Sequence, residues 1–470
     1  MSKILKKIDE FNNIHYIEKD NELGRGGQGV VYTTKNADTV IKIALNNEQP
    51  IKDEKKIKLF HQKIKKLIYK PLPNDINIAK PLVVLKNEAG YVMNLLDGMY
   101  PFAKLLPQEL SKSEAEKIEI AEFLKELDKR SAIYFSYYLQ TGGVRKRLYT
   151  LSRLAVILFR LHSRGIIYFD ISHNNIFLNK DDIPLVYLID ADNIEYESNN
   201  THTIYTPNFE VPEIVKGEPN STYSDIYAFG ILSYLTLTTT HPFDGIGLEE
   251  ADWDSEESNK KEKWELPWIE DSDDDSNKSK AGLKGTLTIT KELYQLFHQL
   301  FEDGKENRYK RPTLPIWIES LEKSASKTIK CPNCQMSYYY DLFDKCPYCQ
   351  TKKSKRIIVK SYYLKNNEKQ QLRWEYVREI DENTKTIKLP NYLFKSFNIL
   401  EIDDIFLKLE FQINNRIILS FQKTDNEIYF KSNTPIRLYR KKSTIEEIKK
   451  GMEIIIKNDI DILVEIKIEQ

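Results

Sequence analysis

The sequence predicts an α+β chain of two lobes, followed by a small four-cysteine module and a separate β-rich C-terminal domain. Three observations predict this organisation. The N-terminal region favours short strands with a helix among them, the next region shows mostly helical periodicity, and strand-like segments return after two Cys-x-x-Cys pairs. At 470 residues the chain is also too long for a single ordinary core, so two or three domains are expected from size alone.

Composition and charge exclude several classes of protein. Lys and Arg together number 70 and so do Asp and Glu, so no overall electric field attracts the chain to nucleic acid or anionic lipid. No apolar run is long enough to span a bilayer, and the first eleven residues mix charged and apolar side chains, unlike a secretory signal. All four cysteines fall in the two pairs, which favours a reducing compartment. We therefore expect a cytoplasmic protein with no membrane or nucleic-acid partner.

The two lobes are predicted within residues 1–325. Residues 17–96 favour strands interrupted by a helix in the basic stretch 50–69, where apolar residues recur at helical spacing. These apolar residues are Ile57, Phe60, Ile64 and Leu67. Helical patterns dominate residues 97–325. Within them, residues 249–279 carry little apolar content and an acidic run, which indicates a solvated insertion.

A glycine-rich turn lies among the first strands. It places Gly24, Gly26 and Gly29 in G-x-G-x-x-G spacing, and Val31 follows in the next strand. Glycines are needed where backbone approaches phosphate oxygens closely, so these four residues are assigned to nucleotide binding. A Rossmann turn uses the same spacing but opens into a helix, whereas two consecutive strand-like segments follow here.

Lys42 lies in the second of these strands, and its side chain is expected to point opposite to those of Ile41 and Ile43. A lysine there can reach the α and β phosphates of ATP; without the glycine turn, a solvent-facing strand lysine would be the better interpretation. Glu54 on the following helix is the candidate to pair with Lys42. Met93 is expected where the two lobes join and the adenine ring stacks, with an ordinary core methionine as the alternative.

Two acidic segments follow the helical pattern. Asp170 is followed five residues later by Asn175, and the apolar strand 186–189 runs directly into Asp190 and Asp192. This arrangement resembles the eukaryotic-like protein kinases, with their H-R-D-L-x-x-x-N loop and D-F-G segment. The resemblance implies that Asp170 orients the attacking hydroxyl and that Asn175 and Asp190 bind Mg²⁺. Asp192 competes with Asp190 for that role, and a D-x-D that merely caps a turn is the alternative.

The same segments depart from the family pattern. Tyr168 and Phe169 replace the His-Arg pair, so no arginine precedes the catalytic aspartate to bind a phosphorylated activation loop. Ser172 stands where protein-serine kinases usually carry lysine, and Ala191-Asp192 replaces Phe-Gly. The groups required for phosphotransfer are nevertheless all present.

Three later segments favour a protein substrate over the small substrates of aminoglycoside-type kinases. Thr206 to Glu213 resembles the T-P-x-Y/F-x-A-P-E segment, Asp225 begins a D-x-Y-S-F-G-like helix, and Arg311 matches the late arginine that pairs with Glu213. Thr206 implies Ser/Thr acceptors.

The cysteine module spans residues 326–352 and resembles a zinc ribbon. Its two Cys-x-x-Cys pairs can direct four thiolates at one structural Zn²⁺. The four ligands are Cys331, Cys334, Cys346 and Cys349. The second pair alone resembles a glutaredoxin motif, but no strand-to-helix context for that fold surrounds it. The β-rich domain is expected over 356–470, and its function cannot be inferred from its residues.

The sequence therefore predicts an ATP- and Mg²⁺-dependent Ser/Thr protein kinase, and the alternative is a pseudokinase scaffold that binds nucleotide and partners through the ribbon and tail. The order of modules is similar to bacterial kinases found beside phosphatases and von Willebrand A-type proteins, which implies such partners by analogy. Nucleic-acid binding through the ribbon and the Lys352–Arg356 run is a third hypothesis. It rests on a short run of basic residues, and such a run is usually a linker.

Overall fold

The computed structural model describes residues 4–26, 29–36, 38–73, 76–245, 263–279, 282–366, 368–381, 383–384, 386–394, 397–399 and 461–469, and beyond 399 also the backbone of the strands between 405 and 457. The strands are β1 (Ile4–Ile8), β2 (Ile14–Gly26), β3 (Gly29–Thr34), β4 (Thr39–Asn46), β5 (Gln49–Pro50), β6 (Pro81–Val84), β7 (Gly90–Asn94), β8 (Tyr100–Pro101), β9 (Ile166–Tyr168), β10 (Ile176–Leu178), β11 (Val186–Leu188), β12 (Ile194–Tyr196), β13 (Thr328–Lys330), β14 (Ser337–Tyr339), β15 (Arg356–Lys365), β16 (Glu368–Glu379), β17 (Thr386–Pro390), β18 (Ile405–Gln412), β19 (Arg416–Phe421), β20 (Glu427–Phe430), β21 (Thr434–Pro435), β22 (Arg440–Thr444), β23 (Met452–Lys457) and β24 (Ile462–Glu469). The α-helices are α1 (Glu54–Ile68), α2 (Lys112–Ala115), α3 (Lys129–Gln140), α4 (Gly143–His162), α5 (Pro212–Val215), α6 (Thr222–Thr238), α7 (Gly285–Thr288), α8 (Lys291–Phe301), α9 (Asp303–Glu306) and α10 (Leu314–Ser326). No helix among the described residues is long and apolar enough to cross a membrane.

The chain divides into two compact units, each assembled from three separate stretches. The first unit is formed by Met1–Lys104, Ile157–Leu232 and Asn307–Arg311, and the second by Leu105–Val156, Ser233–Glu306 and Pro312–Gln470.

The first unit is built on an antiparallel sheet with the strand order β1-β2-β3-β4-β7-β6. Alternation along β4 sends Ile41 and Ile43 into an apolar cluster with Val92 of β7, so Lys42 between them faces the opposite side of the sheet. The pairing register places Lys42 opposite Val31 on β3 and opposite Tyr91 on β7. This register fixes which side chains surround the lysine.

Helix α1 confirms the helix predicted within residues 50–69. It begins at Glu54 because the preceding Asp53 caps it, its carboxylate accepting the Lys56 backbone N–H at 2.8 Å. Ile64 and Leu67 are the buried residues of the helix, and Ile64 packs with Tyr91. The apolar stripe therefore faces the sheet, and the many lysines lie on the outside.

Short strands position the loops of the first unit that carry Asp170 and Asp190. Strand β9 pairs with β12, and β10 pairs with β11, both antiparallel. Each pair is only three residues long, so backbone and side-chain hydrogen bonds in the loops add most of the local order.

The second unit corrects the prediction of a wholly solvated insertion at 249–279. Residues 249–262 lie outside the described residues, but Trp268 is fully buried and makes ring contacts with Tyr234 at 5.6 Å and Phe301 at 5.5 Å. The Trp268 indole N–H donates to Glu302 at 3.1 Å. The apolar residues just before the acidic run anchor this part of the insertion, because burying a tryptophan outweighs the polar character of its neighbours.

The C-terminal strands form a six-stranded sheet, ordered β16-β15-β24-β23-β20-β21, and a four-stranded sheet, ordered β17-β18-β19-β22. The six-stranded sheet packs its apolar face in a cluster that includes Ile357, Trp374 and Val464. The strands β15 to β24 all lie within 356–470, the region that the sequence predicts to be rich in strands.

The second unit groups these sheets with the helices α3, α8 and α10. Arg145 near the start of α4 shows the physical reason. Its guanidinium donates to both carboxylate oxygens of Glu379 on β16, at 2.8 and 2.7 Å, and to the Thr328 carbonyl on β13 at 2.6 Å. Buried polar contacts thus join elements that the sequence places far apart.

Candidate active site

The glycine turn joins β2 and β3, and its glycines have different surroundings. A Cβ on Gly29 would lie 3.0 Å from Lys42 Cε and 3.2 Å from the Ile43 carbonyl oxygen, so a side chain there would press on the lysine. A Cβ on Gly24 or Gly26 would meet nothing within 4 Å. Gly29 is thus needed for the packing of the lysine, whereas the space beside the other two glycines is open to a ligand.

Lys42 is 7% exposed and lies among three acidic or phenolic groups. Its ammonium forms an ion pair with Asp190 and lies 3.7 Å from Asp192 Oδ1. Burial opposes the charged form, but Tyr91, Asp192 and Asp190 outweigh that effect and raise the pKa of Lys42 above its ordinary value. The lysine is therefore a fixed positive charge at neutral pH, as phosphate binding requires.

The structure does not bring Glu54 to Lys42. Glu54 is the first residue of α1 and is exposed, whereas the ammonium of Lys42 is buried and pairs with Asp190. The helix begins only at Glu54, so this carboxylate stays at the solvent-facing end of α1, and no other residue of α1 is acidic. The charge partners of the lysine come from the segment after β11 instead.

Met93 lies near the end of β7, partly buried against Ile64 and Tyr91. It pairs with Val40 across the sheet. Because Met93 and Tyr91 are two residues apart on one strand, Met93 shares the face of the sheet that carries Lys42. The structure thus places Val31, Lys42 and Met93 on one face.

Asp170 and Asn175 are held together by two hydrogen bonds. The Asn175 amide nitrogen donates to the Asp170 backbone carbonyl and to its Oδ2, each at 2.8 Å. The Asn175 backbone carbonyl accepts from the Ile189 N–H at 2.9 Å, which ties this loop to the end of β11. With its nitrogen occupied, the amide group of Asn175 offers its oxygen to a further ligand.

Asp190 and Asp192 follow β11 on a tight turn. Asp190 has a left-handed backbone with φ 55°, a conformation that non-glycine residues adopt mainly where the surroundings impose it. The Asp190 side chain is 32% exposed and that of Asp192 is 15% exposed. Among the described residues, Asp192 Oδ1 is buried without a hydrogen-bond partner, and the Lys42 ammonium lies 3.7 Å from it.

Three contacts in the site were not foreseen from the sequence. Asn193 donates to Asp170 Oδ2 at 3.3 Å, and the Thr206 hydroxyl donates to Asp170 Oδ1. The Tyr168 hydroxyl donates to the Ile189 carbonyl, immediately before Asp190. All three contacts join residues that lie 21 to 36 positions apart, so no local spacing in the sequence predicts them.

These oxygen donors fit a hard divalent cation together with a nucleotide phosphate. Mg²⁺ prefers carboxylate and amide oxygens, and Asp190 and Asn175 supply them. The Asp190 side chain is 32% exposed, and the Asn175 amide oxygen stays available because its nitrogen makes the two bonds to Asp170, so both groups can reach a cation. Lys42 adds the positive charge that phosphate requires.

The predicted pairing of Arg311 with Glu213 is confirmed. Arg311 donates to the two Glu213 oxygens at 2.6 and 2.7 Å, and both residues are buried. Asp225 accepts the Tyr168 backbone N–H at 2.8 Å and contacts His162 Nε2 at 2.8 Å. Asp225 thus supports the strand that leads into the loop of Asp170.

The four cysteine thiols converge on one point in the second unit. All four Sγ atoms lie within 4.8 Å of one another, and each Cys-x-x-Cys turn ends in a glutamine with left-handed φ whose N–H donates to the carbonyl of the first cysteine. This repeated geometry fits a tetrahedral zinc ion bound by four thiolates.

Comparison with known proteins agrees with this architecture. Residues 146–324 match the protein kinase domain model. Three relatives are serine/threonine-protein kinase pkn2 of Myxococcus xanthus (33% identity over 20% of this chain), death-associated protein kinase 2 of Homo sapiens (36% over 19%) and the eye isozyme of protein kinase C of Drosophila melanogaster (33% over 23%). The aligned stretches cover 12%, 26% and 16% of those proteins, respectively. Together these matches support a protein serine/threonine kinase.

Proposed function

We propose that this protein transfers the γ-phosphoryl group of Mg²⁺-bound ATP to Ser or Thr hydroxyls of protein substrates. The observation that carries the proposal is the convergence of Lys42, Asp170, Asn175 and Asp190 in the first unit, with the lysine buried and paired to Asp190. Phosphoryl transfer needs little covalent chemistry from the protein, because positioning and charge stabilisation supply most of the rate.

Each of these residues has a role in the proposal. Lys42 binds the ATP phosphates, and Asp190 and Asn175 hold Mg²⁺, which would neutralise charge that develops on the phosphate oxygens. Asp170 orients the acceptor hydroxyl and takes its proton. Its carboxylate is held by hydrogen bonds from Asn175, Asn193 and Thr206, so it is fixed before a substrate arrives.

The adenine and phosphates are assigned to the face of the sheet that carries Lys42. Val31 and Met93 would contact the base there, and Gly24, Gly26 and Gly29 would lie over the phosphates. Glu54 is not assigned a role, because the structure leaves it exposed.

The four cysteines are proposed to hold a structural zinc ion. A metal at that point would link the two Cys-x-x-Cys turns, which pack in an apolar cluster with Tyr338 and with Ile358 and Val377 of the neighbouring sheet. By analogy with bacterial kinases that have a similar order of modules, a phosphatase or a von Willebrand A-type protein is a candidate partner. We place this chemistry in the cytoplasm.

The test is phosphate transfer from labelled ATP and Mg²⁺ to the chain itself and to a generic protein acceptor. The variant is Asp190→Asn, which keeps the size of the side chain and removes its charge. Asp181→Asn is the matched control, because Asp181 is an exposed aspartate of the same unit that accepts a hydrogen bond from Asn179. We expect wild type and the control to incorporate label and Asp190→Asn to lose at least a hundredfold.

A nucleotide-binding scaffold would give a different result. It would bind ATP, as measured by a rise in the unfolding temperature, yet transfer no label in any variant. That outcome, with folded and zinc-loaded protein, would reject the proposed activity.

A further inference from the structure

The segment that carries Thr206 lacks regular secondary structure. Residues 200–206 form neither helix nor strand, and yet the Thr206 hydroxyl donates to Asp170 Oδ1. A segment without backbone pairing must be ordered by other contacts if it is to hold a side chain against a catalytic carboxylate.

Asn220 supplies those contacts from the turn that precedes α6. Its Oδ1 accepts the Ile204 N–H at 2.8 Å, and its Nδ2 donates to the Ile204 carbonyl at 2.8 Å. One carboxamide thus pairs with both backbone groups of a single residue, as a neighbouring strand would. Asn220 is 5% exposed, so these bonds form away from water and are costly to lose.

We call the pair of bonds between the Asn220 carboxamide and the Ile204 backbone the Asn220 clamp. The backbone of Asn220 makes further bonds toward the start of the segment. Its N–H donates to the His202 carbonyl at 2.9 Å, and its carbonyl accepts from Asn200 Nδ2 at 2.8 Å. Asn200 Oδ1 in turn accepts the His202 N–H at 3.0 Å. Both asparagines are buried, and all of these bonds are between uncharged groups.

The residue before Asp170 is also uncharged. Phe169 contacts the His202 ring, with centroids 5.5 Å apart, at a position from which an arginine could have bound a phosphate group. The anchorage of the segment therefore rests on neutral hydrogen bonds and a ring contact, and the Asn220 carboxamide provides the most direct link to Ile204, two residues before Thr206.

We propose that Asn220 is a positioning residue that fixes the backbone of Ile204 and, through it, keeps Thr206 beside Asp170. This role rests on the proposed kinase function. It should affect the reaction with the protein acceptor and not the binding of ATP, because Asn220 contacts the segment after β12 rather than the glycine turn or Lys42. It acts without any phosphate on the segment.

The first experiment compares steady-state constants of the phosphatase-treated full chain with those of Asn220→Ala. We expect kcat/KM for the protein acceptor to fall roughly tenfold or more, because two buried hydrogen bonds are lost. The KM for ATP should change less than twofold. Asn220→Asp keeps the acceptor for Ile204 N–H but turns a carboxylate toward the Ile204 carbonyl, so we expect a comparable loss.

Asn277→Ala is the matched control. Asn277 is also fully buried, and its Nδ2 donates to the carbonyls of Phe243 at 3.1 Å and Pro267 at 2.8 Å in the second unit. The Asn277→Ala variant should have a lower unfolding temperature, but its kcat/KM for the protein acceptor should not fall selectively. The proposal would be overturned if Asn277→Ala lowered kcat/KM for the protein acceptor as much as Asn220→Ala does. It would also be overturned if Asn220→Ala raised the KM for ATP in parallel.

A second measurement does not depend on activity. Amide hydrogen exchange of residues 200–206 should show Ile204 protected in wild type and exchanging at least tenfold faster in Asn220→Ala. Unchanged protection would overturn the positioning role even in an active enzyme. Faster exchange in a chain that transfers no phosphate would support the clamp and reject the kinase function separately.

Discussion

Glu379 gives the clearest test of the electrostatics of the second unit. Its carboxylate accepts two hydrogen bonds from Arg145, at 2.8 and 2.7 Å. Burial alone would raise the pKa of Glu379, but the charges of Arg145 and Arg378 outweigh burial and lower the pKa from 4.5 to about 2. A shift of about 2.5 pKa units corresponds to about 3 kcal/mol of folding free energy.

The sign of the pH dependence follows from the direction of the shift. Because the folded pKa is the lower one, the stabilisation is present in full above about pH 5 and is lost as the pH falls from there toward 2. We expect Glu379→Gln to be about 3 kcal/mol less stable than wild type at pH 7, with the difference reduced to roughly half near pH 3. Urea unfolding of both proteins at each pH measures this difference directly.

The control for Glu379 is a glutamate on the same strand. Glu368→Gln changes an exposed side chain at the start of β16, and its difference from wild type should stay within about 0.5 kcal/mol at every pH. If the free energies of unfolding of Glu379→Gln and wild type differed by the same amount at pH 7 and pH 3, the reasoning would be refuted. The loss of stability would then come from packing rather than from charge.

Two further predictions concern the framework and the cysteine site. Arg311→Ala removes both bonds to Glu213 and leaves a buried carboxylate, so urea unfolding should show a loss of about 3–5 kcal/mol. Replacing Glu213 with Gln in that variant should recover part of the loss, and no recovery would mean that the charge is not what destabilises the variant. Purified protein should contain about one zinc ion per chain, and Cys346→Ser should lose it together with thermal stability. A metal-free protein of unchanged stability would contradict the structural role.

Most of the contacts that the sequence could predict join residues that lie only a few positions apart in the chain. The Asp170 and Asn175 pair lies on one short loop, and the cysteines of each pair lie three residues apart, so chain geometry alone brings their side chains together. The strand alternation that turned Lys42 away from Ile41 is equally local. The pairing of Arg311 with Glu213 joins residues 98 apart and came from the family resemblance instead.

The expectations that failed depended on where an element begins and on packing between distant segments. Glu54 was assigned to Lys42 from its position on the helix that follows the lysine, but the Asp53 cap starts α1 at Glu54 and leaves that end of the helix exposed. The burial of Trp268 was not predicted, because the acidic residues that follow it make the segment polar on average. Packing in the fold depends on the single side chain and not on that average. The Asn220 clamp joins residues 16 apart through a side chain with no sequence signature.

The position of Glu54 bears on how Lys42 is held when a metal is bound. In this structure Asp190 pairs with the lysine, yet the same carboxylate is the proposed ligand of Mg²⁺. A cation that takes Asp190 weakens its pairing with Lys42, and a buried ammonium without a partner is costly. Asp192 Oδ1, 3.7 Å away and lacking a hydrogen bond, is the carboxylate that can then balance the charge. The aspartate that replaces the glycine of the D-F-G segment thus fits the role that Glu54, exposed at the start of α1, does not fill.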